Sequence, residues 1–322
     1  MLYCLLLKYS NLSQNMQKKK IIVVVGATGS GKSNLAHKIA KHIGGYLISA
    51  DSRQVFKNMN IGTNKDNGKW LRKGFKKHYI VDGVEEFMVD IVNPNKPFSL
   101  DHWLKQVKKI IDIEKSDPVV VGGTGLYTSA LVHGYALPGA PNKSFRQKIE
   151  SEYQQHGLEY MVKKLVQQDP DIEQKIDTSN PRRVMRAFEL LRTAGTIEKK
   201  SNLEPKFDFL VLGLEKNREE LYRKIDTRVD QMITEGLVEE VKFLIKKGYK
   251  SDSPAMTGIG YRQIVDSLNG IHDLNEAIRL IKRDTRHYAK RQLTWYRKDD
   301  YIHWISSPKQ AIKLVSAFLS NT

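Results

Sequence analysis

Ile21-Ile22-Val23-Val24-Val25 running into Gly26-Ala27-Thr28-Gly29-Ser30-Gly31-Lys32-Ser33 is the stretch that decides the fold. Five consecutive aliphatic residues, mostly β-branched, read as a short strand buried on both faces, as in a parallel sheet. The eight residues after it match GxxxxGK[ST] at every fixed position, and a helical pattern follows from about Lys32 to His42. Strand, glycine loop and helix are the context that gives this motif its meaning. The glycines let successive backbone N–H groups converge on phosphate oxygens, and the helix N-terminus adds positive potential. Lys32 contributes a point charge, and the Ser33 hydroxyl can ligate magnesium (Mg2+). The motif specifies a diphosphate cradle at Gly26–Ser33; it does not specify ATP.

Further strands are expected at Tyr46–Ala50, Val119–Val121 and Phe207–Leu212, separated by helices. The expected fold is therefore α/β: a P-loop NTPase-like parallel sheet covered by helices. From 141 to 204 only helical periodicity appears. Phe145, Ile149 and Tyr153 recur by four, Leu158 to Leu165 follow a stop at Gly157, and Asn180-Pro181 opens a helix that ends near Gly195. This predicts an inserted all-helical domain. It divides the core into a first part, 17–140, and a second part, 205–322, that closes on long helices. Residues 1–16 are expected to be a disordered extension, with Met16 as a candidate start.

The 322 residues, 40% of them apolar, exclude disordered, collagen-like and coiled-coil classes. Lys and Arg number 53 against 36 Asp and Glu, a net +17 that points to a polyanionic partner. Cys4 is the only cysteine, so one chain has neither a disulfide nor a cysteine metal site. No apolar run reaches the roughly 18 residues of a membrane span.

The residues around the cradle carry distinct chemistry. Val119–Val121 runs into Gly122-Gly123-Thr124-Gly125 with no acidic residue, unlike the metal-holding acid of motor ATPases. The glycines allow another backbone to come close, and Thr124 offers a hydroxyl. Asp51 ends the second strand, on the side where ligands of open α/β sheets bind. It can serve as a general base facing the cradle. It also stands three residues before Gln54, the spacing of a capping box. At about 100° per residue, with Leu221 at 0°, Ile225 falls near 40°, Met232 near 20° and Arg228 near 340°. A guanidinium inside an apolar stripe needs an anion, either a carboxylate or a bound diphosphate.

Two basic clusters account for much of the excess charge. Arg182, Arg183 and Arg186 occupy the first turns of the helix opened by Pro181, where cations are disfavoured unless an anion binds. Residues 279–298 hold eight Lys or Arg and one Asp, a net +7. Arg286, Lys290 and Arg297 recur on one face there, with Tyr288, Trp295 and Tyr296 interleaved. A solvated face explains such a run; phosphate contact explains its near-complete lack of acid better.

Taken together these stretches resemble the tRNA dimethylallyltransferase (tRNA isopentenyltransferase) family. The matching segments are GATGSGKS at 26–33, ISADSRQVF at 48–56, IGT at 61–63, VGGTGLY at 121–127, NPRRVMRA at 180–187, RVDQM at 228–232, GIGYRQ at 258–263 and AKRQLTWYR at 289–297. They keep the family's order over about 270 residues. The resemblance implies transfer of a dimethylallyl group from dimethylallyl diphosphate to the exocyclic amine of the adenosine just 3′ of the anticodon. That is position 37 in tRNAs reading codons that begin with U. It implies that Asp51, Thr124 and Arg228 are catalytic. It implies tRNA contact by Asp51, Ser52, Arg53 and Gln54, by Thr124, by Arg146, and by Arg182, Arg183, Val184, Met185 and Arg186. The same holds for Thr257, Gly258, Ile259, Gly260, Tyr261 and Arg262. The expected partners are the tRNA anticodon stem-loop and dimethylallyl diphosphate, with no membrane, and the enzyme is expected to be a cytoplasmic monomer. The family commonly has Arg where this chain has Lys224, Pro where it has Asp66, and a shorter segment than 66–92. The rival readings are a P-loop small-molecule kinase and a non-catalytic RNA-binding NTPase homologue. The basic clusters oppose the first, and the intact Lys32, Ser33, Asp51, Thr124 and Arg228 set opposes the second.

Overall fold

The computed structural model describes residues 18–74, 76–135, 137, 142–195, 197 and 206–321. The expected extension at 1–16 lies outside them. The chain divides into two compact units, 1–132 with 205–322, and 133–204. The second unit thus begins at His133 rather than at 141.

In the first unit, β1 (Lys20–Val25) leads through the glycine loop into α1 (Lys32–Ile43) and β2 (Tyr46–Ser49). Strands β3 (Lys69–Lys73), β4 (Lys76–Val81) and β5 (Val84–Phe87) follow, then α2 (Leu100–Ile113), β6 (Pro118–Gly122) and α3 (Gly125–Val132). The eight strands form one sheet in the order β3-β4-β5-β2-β6-β1-β7-β8, with β7 at Asp208–Leu214 and β8 at Ile302–Ile305. From β5 to β8 every pairing is parallel, and β3 and β4 add antiparallel pairings at one edge. The four strands located in the sequence pair in parallel as expected, and the sheet is mixed only through the antiparallel edge added by β3 and β4. The atypical 66–92 segment supplies that meander. Its strands Lys69–Lys73 and Lys76–Val81 are rich in charged residues, as edge strands often are, and so lack an apolar alternation. Strand β8 also escaped the sequence reading, because its four residues lie between long helices.

Ile22 and Val24 point to one face and pack with Leu35, Ile39 and Ala40 of α1 and with Ala311 and Val315 of the last helix, Pro308–Ser320. Ile21, Val23 and Val25 point the other way and are equally buried. A sheet covered on both faces leaves the carboxyl ends of its strands as the open rim. That rim carries the glycine loop, Asp51 and the Gly122–Gly125 turn.

Helices Arg218–Thr234, Leu237–Lys246, Tyr261–Leu268 and Leu274–Tyr296 complete the unit. They bury Val229, Leu244, Tyr261 and Ile281 against Val55, Phe56 and Met59 of the loop after β2. Glu240 fastens that loop. Its carboxylate accepts the backbone N–H groups of Asn60, Ile61 and Gly62 at 2.8, 2.9 and 3.1 Å, and the Tyr261 hydroxyl at 2.7 Å.

The second unit is helical: Lys143–Gln168, Ile172–Lys175 and Pro181–Ala194 close on Ile149, Met161, Leu165, Ile172, Val184 and Phe188. Gly157 breaks the first of these helices, with φ 77° and ψ 178°. The Asn180 side chain caps the third at 3.0 Å, and Gly195 ends it in the left-handed conformation.

Candidate active site

The cradle forms because Gly31, at φ 90°, caps α1 without a side chain, leaving the N–H groups of the first turn open to a ligand. Lys32 reaches back so that its Nζ donates to the Ala27 carbonyl at 3.4 Å. Burial pulls this lysine down to about 8; Asp51 opposes that, and Arg228 reinforces it. A cation so disfavoured in the free protein is restored by an incoming polyanion. The Ser33 hydroxyl makes no hydrogen bond among the described residues and lines a small cavity with Lys32, Asp51 and Arg228.

Asp51 caps the turn that follows β2, although no helix continues from that turn and, among the described residues, the Gln54 side chain returns no hydrogen bond to it. Asp51 Oδ1 accepts the N–H groups of Arg53 at 2.7 Å and Gln54 at 3.4 Å. Its Oδ2 accepts no hydrogen bond among the described residues, and the side chain borders the open cavity. Thr124 sits beside it, its Oγ1 accepting the Ser52 N–H at 3.1 Å. The glycines before Thr124 are there for close approach. A Cβ on Gly122 would lie 2.3 Å from the Ala50 carbonyl oxygen, and one on Gly123 would lie 2.2 Å from Gln292 Nε2.

Gln292 is a site residue that the sequence reading missed. Buried in the helix Leu274–Tyr296, it accepts the Thr28 N–H at 2.8 Å and donates to the Gly123 carbonyl at 2.6 Å. One amide thereby ties the cradle to the Thr124 turn. Its signal was available: Ile281, Tyr288, Gln292 and Tyr296 share one helical face, so a polar residue there needs a partner.

Arg228 resolves the alternative left open by its stripe. It forms no ion pair among the described residues, and its Nε is buried without a hydrogen-bond partner. Burial lowers it to about 10, with Asp51 and Asp66 opposing. It borders a cavity of about 340 Å³ with Asp51, Thr28 and Arg53. Ile225, Val229, Met232 and Ile281 form an apolar wall of the same cavity. Tyr288 also faces it, and burial raises its hydroxyl to about 12.

The expected tRNA-contacting residues separate into groups. Ser52, Arg53, Thr257, Ile259 and Gly260 line the cavity, and Gly258 packs against the Arg53 guanidinium. Tyr261 and Val184 are buried in the cores of their units, so their side chains offer no surface for the tRNA contact expected of them. Met185 packs partly against the same helical core. Gln54 spends its side chain on Ser49, Thr63 and Asn64.

Charge also redistributes. Arg286 donates twice to Asp226, at 2.6 and 2.7 Å, and Arg297 pairs with Glu215 at 3.1 Å. Asp226 sits on the helix Arg218–Thr234 packed against the +7 helix and Glu215 in the loop before it, where a linear count could not see them. Arg262 pairs with Asp284, Arg183 with Asp177, Arg186 with Glu189, and Arg146 with Glu150 and Glu189. Arg182 and Lys290 are exposed without an ion pair among the described residues. Tyr296 is buried with its hydroxyl toward the Gly122 carbonyl, so its ring is no stacking platform, whereas Trp295 stays 43% exposed while its indole N–H donates to Ser129 at 3.0 Å.

A family model described as IPP transferase matches residues 54–299. The tRNA dimethylallyltransferase of Natranaerobius thermophilus is 38% identical over 304 residues, covering 91% of this chain and 89% of that protein. That of Alkaliphilus oremlandii is 39% identical over 296 residues, covering 89% and 91%. The full-length tRNA isopentenylpyrophosphate transferase of Bacillus halodurans superposes with a TM-score of 0.67 at 33% identity, covering 94% of this chain and 96% of that one. A eukaryotic dimethylallyltransferase acting on tRNA superposes with a TM-score of 0.77 at 26% identity, covering 94% and 80%.

Proposed function

The chain belongs to the IPP transferase family, and from that premise we propose that it transfers a dimethylallyl group from dimethylallyl diphosphate to tRNA. The acceptor is the exocyclic amine of adenosine 37, next to the anticodon of tRNAs that read codons beginning with U. The observation that carries this reading is a carboxylate with one free oxygen and a guanidinium without an ion pair among the described residues, both at one cavity. The free Oδ2 of Asp51 and the unpaired guanidinium of Arg228 both border a pocket with an apolar wall, beside the phosphate cradle.

The chemistry follows from the groups present. The adenine amine is a weak nucleophile because its lone pair is delocalised into the ring. A C–N bond forms to the first carbon of the prenyl group while the C–O bond breaks and the diphosphate leaves with the electron pair. Asp51 Oδ2 accepts the amine proton, and its capped Oδ1 keeps the carboxylate in place. Thr124 orients the amine or a diphosphate oxygen. The cradle N–H groups, Lys32 and Arg228 offset the charge that develops on the leaving diphosphate. The unengaged Ser33 hydroxyl fits magnesium (Mg2+), which Ser33 would hold and which would supply further neutralisation of the diphosphate. Ile225, Val229, Met232 and Ile281 suit a five-carbon prenyl chain. The base must leave the anticodon stack to reach the pocket, as in other base-modifying enzymes.

The anticodon stem-loop is the polyanion that the net +17 charge requires, with Arg182 and Lys290 as free cations for its phosphates. The proposed enzyme acts as a monomer in the cytoplasm, where its tRNA substrate is found. No described helix is long and apolar enough to cross a membrane. The kinase reading is not favoured, since its relatives are prenyltransferases and a phosphoryl acceptor has no need of the apolar wall. Nucleoside mass spectrometry of tRNA after reaction with dimethylallyl diphosphate tests the proposal. Prenylated adenosine with stoichiometric pyrophosphate supports it; ADP formed from ATP with unmodified tRNA refutes it.

A further inference from the structure

His37 of α1, Asp66 of the loop after β2 and Glu86 of β5 bring their ligand atoms within 4.8 Å of one another. His37 Nε2 stands 3.7 Å from the Asp66 carboxylate. None of these residues takes part in the transfer chemistry above, and each is oddly placed for a structural role. Both ring nitrogens of His37 are buried without a hydrogen-bond partner among the described residues. Glu86 is only 8% exposed, and its carboxylate makes no hydrogen bond or ion pair among the described residues. Burial of an unpartnered carboxylate and an unpartnered imidazole side by side is costly, and a cation between them removes both costs. All three side chains line one cavity of about 60 Å³, together with Lys32 and Ser33.

We propose that His37, Asp66 and Glu86 form a divalent transition-metal site, of the zinc or manganese class, separate from the Ser33 hydroxyl. The geometry fits. Ligands about 2.1 Å from a tetrahedral ion lie about 3.4 Å apart, close to the His37–Asp66 distance and reachable for Glu86 by a small rotamer change. The donor set decides the metal class. One imidazole nitrogen with two carboxylates suits zinc or manganese, whereas magnesium prefers oxygen ligands and water. The elements that supply the ligands also explain what binding does. Asp66 lies in the loop after β2 and lines the same cavity as Lys32 and Ser33, and its main chain is held by Tyr79, whose hydroxyl donates to the Asp66 carbonyl at 2.6 Å. An ion there clamps this segment to α1 and β5, at the position where the family commonly has proline instead of Asp66.

The test is calorimetric titration of the full chain, stripped with chelator, with zinc ion alone and without donor or tRNA. One ion per chain is expected. His37→Leu and Glu86→Gln should each weaken it at least about tenfold, while Ser33→Ala leaves it within twofold. Zinc should also raise the melting temperature of the parent but not of His37→Leu. Absence of binding overturns the proposal, as does either substituted chain binding zinc like the parent. If Glu86→Gln does not fold, His37→Leu decides alone.

Discussion

Replacing Arg228 with Met should stabilise the free protein while disabling the enzyme. The guanidinium is buried in an apolar stripe with no carboxylate paired to it. Its pKa of about 10 lies roughly two and a half below the ordinary arginine value, and at about 1.4 kcal/mol per pH unit this is about 3 kcal/mol borne by the charged form. At neutral pH the group is charged in both the folded and the unfolded chain, so folding bears that whole cost. Methionine keeps most of the volume and removes the charge. Some of the cost relaxes through local water, so a gain of about 1–2 kcal/mol is expected, or about 2–8 °C in melting temperature. The transfer reaction loses the cation that meets the leaving diphosphate. Its kcat/KM should fall by about 10²–10³, with a higher KM for dimethylallyl diphosphate. Thermal melts of the free chain, paired with steady-state kinetics and donor-induced melting shifts, check both halves. A lower melting temperature with normal kinetics in the folded fraction would refute the reasoning and make Arg228 a structural cation.

Asp51→Asn should cut prenyl transfer by about 10²–10⁴ with little change in stability or tRNA affinity, because the amide oxygen still accepts the Arg53 N–H; single-turnover rates and melts check this, and near-normal rates would leave only the capping role. Donor binding should weaken as pH rises through about 8, because Lys32 is protonated and cationic below that value and neutral above it; binding titrations across pH 7–9 on the parent and on Lys32→Arg, which should be flat, check the sign. Arg182→Ala and Lys290→Ala should each lower the log–log salt dependence of tRNA binding by about 0.7–0.9, and Arg286→Ala, already paired with Asp226, should leave it unchanged; a titration over salt concentration in which Arg286→Ala gives the largest drop would reverse this assignment.

The sequence by itself determined the cradle, its strand and helix, Asp51 at a strand end, the helical insertion with its stop at Gly157, and the oddity of Arg228. Each of these follows from local rules: a β-branched run, a glycine pattern, a cap, or a polar group at the wrong angle on a helix. The tertiary structure alone decided what each polar group meets. Arg286 and Arg297 look like free cations in the linear chain, yet Asp226 and Glu215 reach them from other elements. Arg228 looks equally able to pair with a carboxylate, and among the described residues none comes within ion-pair distance of it. Gln292 lies 264 positions after Thr28, and the trio of His37, Asp66 and Glu86 comes from a helix, a loop and a strand. The β3–β4 meander and β8 were illegible because edge strands carry weak alternation and take their identity from the sheet they join. Periodicity records which way a side chain points; its partner is fixed only when the sheet order and helix packing bring distant segments together.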